Sequence, residues 1–216
     1  MNELFALFGS AFVTLFVIID PPGNAPIFAG LTRDASAAQR RRMAFRAVIV
    51  AWCILIFFAF LGEALLSALG ISLAAFRIAG GIMLFIIALD MVFEKRTERR
   101  EKRADEIEGT PEAEDVSIFP MAIPMIAGPG TIAAMLLFMA NATGVQDVIV
   151  VLAAMTLVIL ITLVALLTAG PLMNLMGAKV EAMITRLLGV ILAALAAQFV
   201  IDGITQSLIS ELNISG

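Results

Sequence analysis

The sequence predicts an all-α polytopic membrane protein: six transmembrane helices, arranged as two inverted three-helix repeats whose first and fourth helices are broken. Three observations carry this. Of 216 residues, 61% are hydrophobic and 15% charged, and mean hydropathy is +1.03, whereas a soluble domain is about half apolar and a quarter charged. The apolar residues fall into six runs, each long enough for the ~20 residues a membrane helix needs. Finally, the first and fourth runs are interrupted by proline and glycine at corresponding places, so that the two halves overlay.

The first run extends from Leu4 to about Leu31 and contains Asp20-Pro21-Pro22-Gly23-Asn24-Ala25-Pro26. Adjacent prolines remove two N–H donors and clash one turn back, so the helix must open there. In hydrocarbon such an opening survives only if buried in protein or lining a watery cavity. A loop with Arg33, Arg40, Arg41, Arg42 and Arg46 follows, with Ser36 as a helix cap and Gln39 three residues on. The second span covers about Ala47 to Leu66, and the third about Ile71 to Phe93. Residues 94–117 form a charged linker. Glu94 to Arg103 holds six basic and three acidic residues, and Ala104 to Asp115 six acidic and no basic ones, the pattern of a solvated segment. The linker separates a first repeat, 1–93, from a second, 118–216. The fourth run, Ile118 to about Ala140, is interrupted by Pro120, Pro124 and Gly128-Pro129-Gly130. Val148 to Gly170 is the fifth span. Lys179 and Glu181 occupy the turn before the sixth, about Ala182 to Ile201, which Asp202 closes.

Ile19, Pro22 and Gly23 recur as Ile126, Pro129 and Gly130, an offset of 107, and Arg77-Ile-Ala-Gly80 recurs as Arg186-Leu-Leu-Gly189, an offset of 109. Three spans per half is an odd number, so the second copy must lie upside down. Paired broken helices in inverted repeats are a transporter pattern, with solute bound near the midplane. Both breaks fall ~12–14 Å from the cytoplasmic edge of a core ~30 Å thick, so they would face one another. Lysine and arginine concentrate in the loops after spans one, three and five, which places those loops in the cytoplasm and both termini outside.

Asp20 is the principal chemical residue, because a charge at that depth must be protonated, paired or bound to a cation. Three readings compete: it binds a coupling Na⁺ with freed carbonyls, it carries a proton, or it caps the helix that begins at Pro21. Pro22, Gly23, Gly128 and Gly130 open the backbone to a solute. Asn24 and Thr131, at matching positions, offer hydrogen bonds to that solute or cap the breaks. Helix N-termini suit a carboxylate, and Asp20 or open carbonyls suit an ammonium, so a small zwitterion fits. Arg77 falls at the depth of Glu63, and an ion pair between them is the plain expectation; binding an anionic group is the sharper one. Arg186 is the counterpart of Arg77 in the second half.

Other classes are disfavoured. There is no histidine, hence no histidine metal site or proton relay, and no metal or organic cofactor is expected beyond the Na⁺ considered at Asp20. The single Cys53 forms no intrachain disulfide and reads as a buried inert thiol. Lys95, Lys102 and Lys179 all lie in loops, so a serine–lysine enzyme lacks its base; the chain is not expected to be an enzyme. No nucleotide-binding G-x-x-x-x-G-K-[ST] occurs, and no nucleic-acid partner is expected. Met-Asn-Glu-Leu at the start has no basic n-region, which argues for a retained first span. Gly189, Ala193, Ala194 and Ala197 permit close helix packing, within a monomer or in a homo-oligomer.

The stretches Asp20-Pro-Pro-Gly-Asn-Ala-Pro-Ile-Phe28, Phe76-Arg-Ile-Ala-Gly-Gly-Ile82 and Pro120-Met-Ala-Ile-Pro-Met-Ile-Ala-Gly-Pro-Gly-Thr131 resemble the MarC family of bacterial inner-membrane proteins, over nearly the whole chain. The resemblance implies six spans in the plasma membrane and kinship with the LysE-type amino-acid exporters; an archaeal relative is regarded as a transporter of small neutral amino acids. The expected function is a secondary transporter of glycine, alanine or serine, coupled to H⁺ or Na⁺. The alternative is an exporter of antibiotics or other apolar compounds, which would favour a wide aromatic cavity.

Overall fold

The computed structural model describes residues 2–93 and 115–214. Among the described residues the chain is helical and contains no strand. Helices α1 (Asn2–Ile19) and α2 (Pro21–Leu31) follow one another across Asp20 and together make one apolar span, Glu3–Leu31. A turn leads into α3 (Ala37–Ala68), which starts with a capping box: Ser36 Oγ accepts from the Gln39 N–H at 3.3 Å, and Gln39 Oε1 accepts from the Ser36 N–H at 2.9 Å. Arg40, Arg41, Arg42 and Arg46, expected in a loop, therefore lie on the first turns of a 32-residue helix. Arginine, alanine, glutamine and methionine are good helix formers, so charge here marks exposure to water and not an irregular backbone. Helix α4 (Leu73–Val92) starts at Ser72, whose hydroxyl accepts from the Ala75 N–H at 3.2 Å.

Most of the expected linker, residues 94–114, lies outside the described residues. Its end is anchored, because Asp115 forms an ion pair with Arg46 of α3 and accepts hydrogen bonds from the N–H and hydroxyl of Ser117. The segment Ser117–Ile126 is a wide-turned coil. The N–H groups of Met121 and Ala127 reach back five residues, to Val116 at 3.3 Å and Ala122 at 2.9 Å. Phe119 and Ile123 are extended, as residues before proline tend to be, and the bonds to Pro120 and Pro124 are cis. Helix α5 (Pro129–Ala140) then departs at 53°. Helices α6 (Val145–Leu167) and α7 (Ala169–Ile214) complete the chain.

The structure corrects the expected turn at Lys179 and Glu181: α7 runs through it and past Asp202 for 46 residues. Gly-Ala-Lys-Val-Glu-Ala-Met contains no breaker after its first residue and is rich in helix formers, and Pro171 sits in the first turn, where a missing N–H is tolerated. Asp202 accepts a hydrogen bond from Gln198 Nε2 at 2.7 Å one turn back, so it decorates the helix without ending it. Among the described residues five helical stretches are long and apolar enough to cross a membrane, or six if the bent pair Ser117–Ile126 with α5 counts as one span.

The closest pairing is between α4 and α7, which run antiparallel. A Cβ on Gly81 would lie 2.9 Å from the Ala196 carbonyl oxygen, one on Gly189 3.1 Å from that of Ala88, and one on Gly203 3.0 Å from that of Ala74. The small residues expected to allow close packing thus include Gly189 in a contact within the monomer. Helix α1 packs on α6, and the Ser117–Ile126 segment on α3; α2 packs on α6 and α7, and α5 on α3 and α4. Outer surfaces carry large exposed apolar side chains such as Phe57, Phe60, Leu160 and Leu187, as a surface against lipid does. Cys53, expected to be buried, is exposed on this apolar face of α3.

Candidate functional site

The first break is built by Asp20. It is the one non-glycine residue with positive φ among those described, at φ 58°, ψ 65°, a conformation that Asp tolerates better than most side chains. Pro21 and Pro22 fill the first positions of α2, where an N–H has no partner within the helix. The next N–H, of Gly23, donates to Asp20 Oδ1 at 3.2 Å. Asp20 is therefore a helix cap in this conformation, 1% exposed. A Cβ on Gly23 would lie 2.3 Å from Asp20 Oδ2, so glycine at this position makes room for the capping carboxylate.

The Ile19 carbonyl loses the Gly23 N–H to that cap. The Asn24 side chain replaces it, Nδ2 donating to Ile19 O at 2.8 Å. The second break is repaired in the same way, with Thr131 Oγ1 donating to Ile126 O at 2.9 Å. Donors and acceptors correspond position for position, each five residues apart and each offset by 107. The capping reading of Asn24 and Thr131 thus describes what these donors do here. The repairs differ in what remains. Asn24 Oδ1 is buried with no protein partner, as is the hydroxyl of Thr14 on α1.

The α5 N-terminus carries no carboxylate. Gly128 occupies the cap position and no side chain accepts from the first turn. Glycine is required at 128 because a Cβ would lie 2.4 Å from the Pro124 carbonyl oxygen. At Gly130 a Cβ would meet Ile87 at 2.6 Å, Leu84 at 3.3 Å and Ile18 at 3.4 Å. The contact with Ile18 brings the second break beside the first in the protein interior. It also fills the space at Gly130 with side chains from α1 and α4, so a solute reaches that backbone only if they move.

Asp20, Pro22, Gly23 and Asn24 thus cluster at one break and Gly128, Gly130 and Thr131 at the other, side by side. The supporting residues do not join them. Arg77 is 9% exposed and donates through Nη2 to Asn141 Oδ1, at the C-terminal end of α5. The expected pair with Glu63 is not formed. Gly62 faces α5, where a Cβ would strike Leu136, and Glu63, about 100° further round the helix, lies on the exposed face of α3. Arg186 lies on the exposed face of α7, unlike its buried counterpart Arg77. Sequence reasoning missed Thr14, one of two hydroxyls, with Ser10, in the apolar run Leu4 to Ile19. It also missed Arg40, whose Nη2 donates to the Thr32 carbonyl at the C-cap of α2 at 3.0 Å, and Asn141. No local signal marks Ile18, Leu84 or Ile87, whose role comes from packing alone.

The family described as MarC family integral membrane protein matches residues 5–208. The UPF0056 membrane protein MJ1677 of Methanocaldococcus jannaschii is 38% identical over 92% of this chain and 96% of its own length. The UPF0056 membrane protein YvbG of Bacillus subtilis is 33% identical over 93% and 95%, and the UPF0056 inner membrane protein YhgN of Escherichia coli K12 is 33% identical over 94% and 97%. No solved structure matches the chain. With a family match over residues 5–208 and five to six helical stretches among the described residues long and apolar enough to cross a membrane, the chain belongs to the MarC family of integral membrane proteins.

Proposed function

We propose that the protein is a secondary transporter of small neutral amino acids of the glycine, alanine or serine type, coupled to H⁺ or Na⁺ through Asp20. The observation that carries this reading is the pair of interrupted helices, each with a side chain donating to the carbonyl freed five residues back, meeting in the interior beside a buried carboxylate. Such openings are tolerated at membrane depth where they are buried in protein or line a watery cavity, and in transporters paired ones form the solute site. The zwitterion's carboxylate would go to the N-terminus of α5, which has no acid of its own, and its ammonium to Asp20 and Asn24 Oδ1. With α1 and α2 matched to the Ser117–Ile126 segment and α5, α3 to α6, and α4 to α7, the helix contacts correspond in pairs: α1 on α6 mirrors Ser117–Ile126 on α3, and α2 on α7 mirrors α5 on α4. This supports two inverted repeats. The described conformation is then the closed one, with Ile18, Leu84 and Ile87 as the seal. The arginine-rich start of α3 favours a cytoplasmic face on that side, with both termini outside, in the bacterial plasma membrane.

The test is counterflow of radiolabelled glycine and alanine in proteoliposomes under imposed H⁺ and Na⁺ gradients, with Asp20→Asn beside the parent. Asparagine keeps the left-handed backbone accessible while removing the charge. Saturable counterflow that loses gradient coupling in Asp20→Asn is expected. Absence of flux for the parent under every gradient would reject the reading.

A further inference from the structure

Arg77 is more than nine-tenths buried, and its environment does not balance its charge. Among the described residues no carboxylate lies within ion-pair distance of it. Among the described residues its one side-chain partner is the neutral Asn141 carboxamide, and its Nε is buried with no partner. A guanidinium has five N–H donors in a rigid fork, and a buried charge is costly unless paired and hydrogen-bonded. The C-terminal end of α5 offsets part of that cost, since its last carbonyls carry about half a negative charge. That does not fill the fork. Asn141, in contrast, is exposed, so the partner of the buried guanidinium lies at the surface.

We propose that Arg77 and Asn141 form a binding site for an oxyanion, a carboxylate or a phosphate, at the end of the molecule where α4 begins and α5 ends. Two oxygens at the spacing of such a group match the edge of the fork that holds the unpartnered Nε and the adjacent terminal nitrogen, and would enter beside Asn141. The carboxamide then adds its own N–H donors from the exposed side. This inference stands independently of transport through Asp20. The oxyanion could come from a small solute or from a lipid headgroup, and the two are separable by experiment.

The full-length protein is purified in maltoside micelles, which contain no phosphate. Sodium acetate and inorganic phosphate are titrated while thermal unfolding is followed, with chloride as the control at matched ionic strength. In parallel, protein extracted from phosphatidylglycerol-containing membranes is examined by native mass spectrometry for retained lipid. Saturable stabilisation by acetate or phosphate supports a soluble oxyanion, and retained phosphatidylglycerol supports a headgroup. In either case the affinity falls about tenfold or more in Arg77→Gln. Arg77→Lys, which keeps the charge but not the fork, and Asn141→Ala also weaken binding, and they carry the test if the glutamine variant does not fold. If neither anion nor lipid binds, or if the variants bind as the parent does, Arg77 only caps α5 and the proposal is wrong.

Discussion

Thr131 and Asn24 make the same backbone repair, yet their removal should have unequal consequences for stability. Thr131→Val replaces a buried hydroxyl by a methyl group of similar size and leaves the Ile126 carbonyl without its donor. An acceptor stranded in this way costs about 1–3 kcal/mol. Asn24→Leu also strands a carbonyl, that of Ile19, but at the same time removes Oδ1, a buried acceptor that has no protein partner. The loss and the gain are each about 1–3 kcal/mol, so the net change should be within about 1 kcal/mol of zero. Unfolding of the purified variants by titrated SDS in mixed micelles measures the difference, with Thr131→Ser, which retains the hydroxyl, expected near the parent. In transport the order should reverse: Asn24→Leu loses the oxygen assigned to the solute ammonium, and counterflow should fall by about tenfold or more. If Asn24→Leu is destabilised as much as Thr131→Val, the view of Oδ1 as an uncompensated acceptor is wrong. If it transports normally, that oxygen is no part of the solute site.

Two further outcomes follow from contacts elsewhere. Gly81→Ala and Gly189→Ala place a methyl 2.9 Å and 3.1 Å from carbonyl oxygens of the facing helix, and backbone cannot swing aside. Each should cost about 1–3 kcal/mol in SDS unfolding, whereas Gly9→Ala, with nothing within 4 Å, should be neutral or stabilising by up to about 1 kcal/mol. At Asp115, burial pushes the carboxyl up, but hydrogen bonds from Ser117 and the charges of Arg46 and Arg42 outweigh it and hold it below its ordinary value. The native state therefore gains from the ionised form above the unfolded carboxylate range and loses that gain as pH falls through the lower folded value. Both side chains of the ion pair are about half exposed, so the effect should stay below about 1 kcal/mol. The difference between parent and Asp115→Asn should shrink towards zero in acid.

The breaks were legible because their cause is local. Two prolines and a glycine stop a helix wherever they stand, and Ser36 with Gln39 starts one. The extents of α3 and α7 were not, because arginine, lysine and glutamate signal exposure to water while their backbone preference is helical. The partner of Arg77 was also out of reach. Matching depth pointed to Glu63, but the rotation of α3, fixed by Gly62 against α5, turns Glu63 away. At the candidate site, residue types announced polar work at 20, 24 and 131. What sequence does not contain is which apolar side chains of other helices fill the space beside Gly130, since that depends on how the helices pack.

The glycine seam has a mechanical implication. It joins the last helix of the first half to the last helix of the second along about 25 Å, from Ala74 beside Gly203 to Met91 beside Gly189. Carbonyl oxygens wedged against glycine leave no slack for sliding or hinging between these two helices. Swinging the halves apart as separate blocks would have to break these contacts, so it is opposed at this side. In the proposed transporter, flexing within the interrupted helices against the α4–α7 spine is then the less costly way to uncover Gly130.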